Sequence, residues 1–328
     1  MSTSHQKPDV SICIVSWNTR ELLADCLESI EAGQGAARHE VIVVDNASTD
    51  HSADMVQNRF PSVRLECSGH NLGFARGSNR AMELARGRYL MLLNPDTLVH
   101  PDALGGLVGF MDREPDVGAA GPRLVDPAGR LQLSCGRSPG LALETLNKFM
   151  LHKLFPAFKL GYWDHARVRD VGWVTGACVI VRQEALRTAG PLDAAMFMFY
   201  EDVEWCMRIQ RAGWRVVYYP DSEVVHLGGQ SVRQDFRRML VISQRSQFYL
   251  YHKHHGAHRL QLLRLLTVFE MLLRIGIWLP RFVMRSSCGT AGSVAGARLQ
   301  AYREIIVRTV TDSSYWAPFA PEPVNKHQ

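Results

Sequence analysis

VSICIVS, from Val10 to Ser16, and EVIVVD, from Glu40 to Asp45, are short, continuous apolar runs rich in β-branched residues. A strand covered on one face alternates apolar and polar residues, whereas one covered on both faces reads as these do. Between them Leu22, Leu23, Cys26, Leu27 and Ile30 recur at helical spacing and give one apolar face. A second helical pattern, Phe74 to Arg86, leads into a third apolar run, YLMLLN, from Tyr89 to Asn94. Strands alternating with helices make βαβ units, so the first 120 residues predict an open, doubly wound, mostly parallel α/β sheet. Ligands of such sheets bind outside the carboxyl ends of the strands. The residues that follow each run are therefore the first place to look for chemistry.

Those residues are Ser16-Trp17-Asn18, then Asp45 to Asp50 (DNASTD), then Asn94-Pro95-Asp96-Thr97. Singly, Asp45, Ser48 and Asp50 read equally well as turn or N-cap residues. Together they place polar groups on one sheet edge, where Asp45 can accept from the N3–H of a uracil or thymine and Trp17 can flank the base. Asn71 to Asn79 (NLGFARGSN) sets two glycines and a guanidinium where a helix begins, a place that attracts anions. Asp96 projects a hard oxygen ligand suited to Mg²⁺ or Mn²⁺. Neither GxGxxG after the first run nor GxxxxGK[ST] occurs, which argues against dinucleotide-binding and P-loop functions. Farther on, Gly172 to Val181 reads as a strand with the small pair Gly176-Ala177 in its middle. Glu201 and Asp202 open a helix behind an apolar stretch, and Val216–Tyr219 and Val224–His226 read as two short strands.

Length, composition and charge narrow the class. The 328 residues are 46% hydrophobic and 21% charged, which excludes disorder as the main state and leaves room for about two domains. Seven scattered cysteines form no CxxC pair or zinc spacing, and Met1 to Asp9 contain no apolar signal segment. A reduced, cytoplasmic protein is expected, with the sequon at Asn46 unglycosylated. The net charge of +5 is uneven: 13 Lys/Arg and 3 Asp/Glu fall between Arg233 and Arg308, leaving 24 against 29 elsewhere. The basic part is interleaved with Leu, Phe, Ile and Trp, which suits an anionic membrane surface and not nucleic acid.

Leu260 to Met284 is long enough to cross a bilayer but carries Arg264, Glu270 and Arg274, each costing about 2.5 to 3.5 kcal/mol at the centre. An interfacial helix with its arginines on anionic lipid is expected, the alternative being a helix packed on the core or in a homodimer.

The order SWN, VDNASTD, NLGFARGSN, LLNPD, VTGA, YED and VVHLGG resembles the family 2 glycosyltransferases of GT-A fold, within them the rhamnosyltransferase-like bacterial branch, over roughly Val10 to Gly256. The resemblance implies an inverting transfer from a nucleotide-diphosphate sugar with a divalent cation, Mg²⁺ or Mn²⁺. It implies that Asp45 holds the pyrimidine and that Asn71, Arg76 and Asn79 lie in the donor loop. Asp96 matches the last position of the family's DxD motif; Asn94 departs from it at the first, which suits a ribose or outer contact. His226 matches a histidine that completes the metal site in some relatives, Asp202 matches the catalytic base, and Glu201 would orient substrate or stabilise the motif. Trp173, Gly176 and Ala177 are the expected sugar or acceptor pocket.

The branch favours dTDP-rhamnose, with UDP-sugars compatible, and a glycan or polyprenyl-diphosphate-linked acceptor in cell-envelope polysaccharide synthesis. The implied layout is a flexible 1–8, a catalytic domain 9–232 (donor half 9–100, acceptor half 101–232), a basic, apolar helical extension 233–310 touching membrane or a second copy, and a tail 311–328. A peripheral position on the inner face of the cell membrane follows. Two alternatives differ in class. A sugar nucleotidyltransferase needs a glycine-rich loop after the first strand, which SWNTRELL lacks; an inactive nucleotide-sugar-binding protein has no need to keep Asp96, Asp202 and His226 together.

Overall fold

The computed structural model describes residues 7–33, 37–149, 163–228, 235–286 and 292–319. Residues 1–6 of the N-terminus, 320–328 of the tail, Gly229 and Cys288 lie outside them.

The chain opens with β1 (Val10–Ser16), α1 (Arg20–Ala32), β2 (His39–Asp45), α2 (Ser52–Arg59), β3 (Arg64–Cys67), α3 (Gly73–Leu84) and β4 (Tyr89–Leu93). These strands lie parallel in the order β3-β2-β1-β4. Every residue of β1 and β4 is buried, the physical reason both runs read as unbroken apolar. The chain continues through β5 (Thr97–Val99), α4 (Ala103–Arg113), β6 (Val117–Val125), β7 (Leu131–Gln132), β8 (Cys135–Gly136), α5 (Leu141–Lys148), β9 (Arg169–Asp170), β10 (Trp173–Val174) and β11 (Cys178–Arg182). It then forms α6 (Gln183–Ala189), α7 (Glu201–Arg211), β12 (Arg215–His226), α8 (Phe236–Ser286) and α9 (Gly292–Thr311). Strand β11 runs antiparallel to β4 and β6, and β12 runs parallel to β6 and antiparallel to β5. The sheet is thus a parallel half extended by a mixed half.

Two apolar layers sandwich it. Leu23, Leu27 and Ile30 of α1, Val56 of α2 and Leu107 of α4 pack on one face; Ala75 of α3, Ala185 of α6 and Trp205 of α7 pack on the other. Two readings of the sequence are revised. The run Gly172–Val181 is not one strand: it is β10 and β11 with Thr175–Ala177 turning between them, because the Gly176 N–H is taken by the Asp202 carboxylate instead of a neighbouring strand. The segments Val216–Tyr219 and Val224–His226 are one strand, β12, whose register with β6 shifts between Tyr219 and Glu223, around Pro220.

The basic extension folds onto this body. Helix α8 breaks at Gly256, whose φ of 81° a glycine tolerates without steric cost. Phe248, Tyr251, Leu260 and Leu263 pack against Met196, Val203 and Met207, and Met271 of α8 meets Tyr302 and Ile305 of α9. Arg264, expected to face lipid, donates instead to the Thr309 carbonyl, while Arg274 pairs with Glu270. Glu270 also pairs with Lys148 of α5 at 2.7 Å, both side chains less than a tenth exposed. These charges point inward because the buried side of α8 faces protein. No helix among the described residues is long and apolar enough to cross a membrane.

Candidate active site

Register brings the polar strand ends together. Ser16 is opposite Asp45, Leu93 is opposite both Ile14 and Cys178, and His226 is opposite Thr97, so residues following β1, β2 and β4, preceding β11 and ending β12 share one edge. A cavity of about 490 Å³ opens there. Of the anticipated residues it is lined by Trp17, Asn71, Asn94, Asp96, Trp173, Gly176, Ala177, Glu201, Asp202 and His226. The backbone around this edge is strained: Asn18, Ala47, Phe199 and Tyr200 are non-glycine residues at φ between 52° and 68°. Such conformations persist only where surrounding structure enforces them.

On the donor side, Asn46 ties the strand end to the loop before α3. Its Nδ2 donates to Asn71 Oδ1 at 2.9 Å and its Oδ1 accepts from the Leu72 N–H at 2.8 Å. Gly73 has φ 78°, and a Cβ there would come within 2.5 Å of the Phe197 carbonyl oxygen, to which the Phe74 N–H donates. Only glycine lets that loop close. Asp45 is 4% exposed and does not line the cavity; its Oδ2 accepts from the Ser48 N–H, while its Oδ1 is buried without a hydrogen-bond partner. Arg76 and Asn79 are not brought to the cavity. Arg76 donates to the carbonyls of Ala194 and Phe319, and Asn79 exchanges two hydrogen bonds with the backbone of Leu192.

Asp96 and His226, 130 residues apart in sequence, meet with Asp96 Oδ1 3.4 Å from His226 Nε2. Gln132 holds the other side of the ring, its Oε1 2.9 Å from Nδ1 and its Nε2 donating to the His226 carbonyl. That arrangement fixes ring orientation in the way outer partners orient metal-binding histidines. One carboxylate and one imidazole suit Mg²⁺ or Mn²⁺, and among the described residues no group of three or more His, Cys, Asp or Glu converges. A cation between Asp96 and His226 would complete its shell with water or phosphate oxygens.

In the lining of the same cavity, Asp202 accepts from the Gly176 N–H through Oδ2 at 2.9 Å and from its neighbour Val203 through Oδ1 at 2.8 Å. Burial raises its pKa against the pull of these hydrogen bonds. Glu201 is 5% exposed, with Oε2 unpartnered, and burial reinforced by the charge of Asp202 pushes it well above the ordinary carboxylate range. Asp202 has the larger set of backbone donors, those of Gly176 and Val203 among them, so it is the member of the pair that ionises first.

Several lining residues were not anticipated. Glu144 of α5 and Arg238, Met239 and Ser243 of α8 close the cavity, as do Phe197 to Tyr200. Tyr200 opens the YED motif and Phe199 sits beside it; Glu144 and Arg238 carry no local signal.

The model of the glycosyltransferase-like family 2 matches residues 8–241, most of the chain. This chain belongs to glycosyltransferase family 2. It is 31% identical over 236 residues to the N-acetylglucosaminyl-diphospho-decaprenol L-rhamnosyltransferase of Mycobacterium tuberculosis, covering 66% of this chain and 76% of that protein. It is 30% identical over 234 residues to the O-antigen biosynthesis protein RfbC of Myxococcus xanthus, covering 70% of this chain and 18% of the relative. Among solved structures, a Pyrobaculum calidifontis mannosyltransferase in complex with GDP-Man and Mn²⁺ superposes with a TM-score of 0.56 at 16% identity, over 94% of this chain and 89% of that one. GalNAc-T7 with UDP, GalNAc and Mn²⁺ superposes at 0.51 and 14% identity, over 76% and 50%. This family 2 enzyme therefore has the GT-A fold.

Proposed function

We propose that the protein is an inverting, metal-dependent glycosyltransferase that moves rhamnose from dTDP-rhamnose, or a hexose from a UDP-sugar, to a hydroxyl of a polyprenyl-diphosphate-linked sugar in cell-envelope polysaccharide synthesis. One observation carries the reading: a single cavity has the Asp96–His226 pair and the Glu201–Asp202 pair in its lining. In-line transfer needs a base on the acceptor side and charge neutralisation on the leaving-group side. Asp45 stands one residue before Asn46, which lines the cavity, and accepts the N3–H of a pyrimidine once the donor opens the wall over its unpartnered Oδ1, with Trp17 in the lining as the flanking ring. Asn71 and Asn94 suit donor phosphate or ribose. Asp96 and His226 would hold a divalent cation, which would supply Lewis-acid neutralisation of the charge on the departing diphosphate. Asp202 accepts the proton of the acceptor hydroxyl as its oxygen bonds to the anomeric carbon, and the bond to the diphosphate breaks with its electron pair leaving on oxygen. Glu201 orients Asp202, and Trp173, Gly176 and Ala177 form the sugar pocket. The acceptor class is that named for the mycobacterial relative, and Mn²⁺ is the ion named for the two structural neighbours.

A lipid-linked acceptor places the enzyme on the inner membrane face. The outer side of α8 supports this: Leu262, Leu265, Phe269, Leu272 and Leu279 are each about half exposed or more, a contiguous apolar face of the kind that marks an interaction surface.

A panel of dTDP-, UDP- and GDP-sugars, screened by melting shift with Mg²⁺ or Mn²⁺, tests the donor, since a ligand at 100 times its Kd stabilises by about 2.7 kcal/mol. A shift with dTDP- or UDP-sugars is expected, and a shift with GDP-sugars alone overturns the pyrimidine assignment. Asp96→Ala should abolish transfer, and His226→Ala should raise the metal concentration required. Unchanged metal dependence in the histidine variant removes it from the ion site.

A further inference from the structure

A second cavity, of about 370 Å³, adjoins the catalytic one, and Glu144, Tyr200 and Ser243 line both. Its other walls come from α5, α8 and α9, and they bring three cations, Lys148, Arg274 and Arg298, against one further carboxylate, Glu270. Glu270 is already shared by Lys148 at 2.7 Å and Arg274 at 2.8 Å. Arg298 is fixed by rings, its Cζ 4.3 Å from the centroid of Trp278 and 5.5 Å from that of Phe236, yet its Nε is buried with no hydrogen-bond partner. The rings thus hold the Arg298 guanidinium at the cavity wall, where its other N–H groups can meet an oxyanion that enters.

The remaining features restrict that acceptor. An excess of cations around polar Gln244 and Gln247 suits a multiply charged oxyanion, and Arg binds phosphate oxygens well. The two helices that wall the cavity also carry exposed apolar side chains, Leu265 and Phe269 on α8 and Val307 and Val310 on α9. On the other side, the shared wall leads to the cavity of Asp202. We propose that this second cavity seats the diphosphate of the acceptor, with its sugar reaching toward Asp202 and its prenyl chain leaving along α8 and α9. This rests on the lipid-linked acceptor proposed above, and it adds a site and the residues that hold it: Arg298 foremost, then Lys148 and Arg274.

The test uses the full chain with the donor site filled by dTDP and Mg²⁺, and measures binding of farnesyl diphosphate, inorganic pyrophosphate and farnesol by calorimetry. Farnesyl diphosphate should bind wild type more tightly than pyrophosphate, and farnesol should not bind measurably. Arg298→Gln should weaken farnesyl diphosphate by about tenfold or more, as expected for losing a charged hydrogen bond, with Arg298→Lys in between and the Kd for dTDP unchanged as the check on folding. Equal affinity in wild type and Arg298→Gln, or binding that dTDP abolishes, overturns the seat. Pyrophosphate binding as tightly as farnesyl diphosphate overturns the lipid as its source. If wild type binds farnesyl diphosphate in an Arg298-dependent way but transfers no sugar to a short prenyl-diphosphate acceptor, the site stands and the functional reading fails. If transfer to that acceptor occurs with the same KM in Arg298→Gln, the reading stands and the site fails.

Discussion

Glu204 joins the catalytic helix to the C-terminal extension, and removing its charge is a quantitative test of that junction. It lies on α7 two residues after Asp202 and is fully buried. Its carboxylate accepts from Arg208 Nε at 2.8 Å on its own helix and, from α8, from Lys253 Nζ at 2.7 Å and His254 Nε2 at 3.0 Å. Burial alone raises its pKa; the hydrogen bond from His254 and the charges of Arg208 and Lys253 overcome that and hold it at about 2, against an ordinary 4.5. A carboxyl depressed on folding contributes stability that is complete above its unfolded pKa and is lost as pH falls through its folded one. The drop from 4.5 to about 2 corresponds to about 3 kcal/mol at neutral pH. Glutamine has the shape of the protonated acid, so Glu204→Gln should lose about that amount, while Lys253 keeps Asp193 at 2.6 Å. Denaturant unfolding of both proteins at pH 7, 5, 4 and 3 reads the difference. The gap should be about 3 kcal/mol at pH 7 and 5, then shrink below pH 4.5 as wild type alone weakens. A gap under about 1 kcal/mol at neutral pH, or one that does not change with pH, refutes the reasoning.

Three further outcomes follow from the site and the extension. Glu201→Gln replaces a protonated carboxyl by a neutral amide; because Asp202 ionises first, the acid limb of the kcat/KM profile should stay where wild type has it, and a limb that moves to lower pH shows that Glu201 is charged while Asp202 titrates. Gly73→Ala forces a Cβ against Phe197 at positive φ, so the melting temperature should fall by the equivalent of about 1 to 2 kcal/mol or more and dTDP should bind more weakly; wild-type values for both dismiss the close contact. Wild type should float with anionic vesicles, less so at high salt, and Leu265→Glu with Phe269→Glu should reduce flotation while leaving the Kd for the nucleotide donor unchanged. Wild type remaining at the bottom of the gradient at low salt dismisses the membrane assignment.

The parallel half of the fold was legible because burial on both faces leaves a signature in every residue of β1 and β4. The strand-end residues were legible for a related reason: parallel strands deliver their carboxyl ends to one edge whatever the loops do. Side-chain direction within a motif was not. Asn71 precedes α3 and faces the cavity, whereas Arg76 and Asn79, three residues apart on one helical face, turn toward the 192–194 segment. The break at Thr175–Ala177 was hidden because it depends on Asp202, 26 residues later, taking the Gly176 N–H. The extension was the least legible part. Arg264, Glu270 and Arg274 look like charges on an interfacial helix until Lys148 and the Thr309 carbonyl, both far away in sequence, are placed beside them.

The central claim is that Asp202 takes the proton of the acceptor hydroxyl, and one substitution isolates it. Asp202→Asn keeps the size of the side chain and its acceptor oxygen for the Gly176 N–H while removing the ability to take a proton. With the donor identified by the melting-shift panel, single-turnover transfer to a prenyl-diphosphate-linked sugar is measured beside calorimetric binding of the same donor. Transfer should fall by about 10² or more, the usual range for a general base, with donor affinity within a factor of about two of wild type. Transfer retained in Asp202→Asn and lost in Glu201→Gln would contradict the assignment and exchange the two roles.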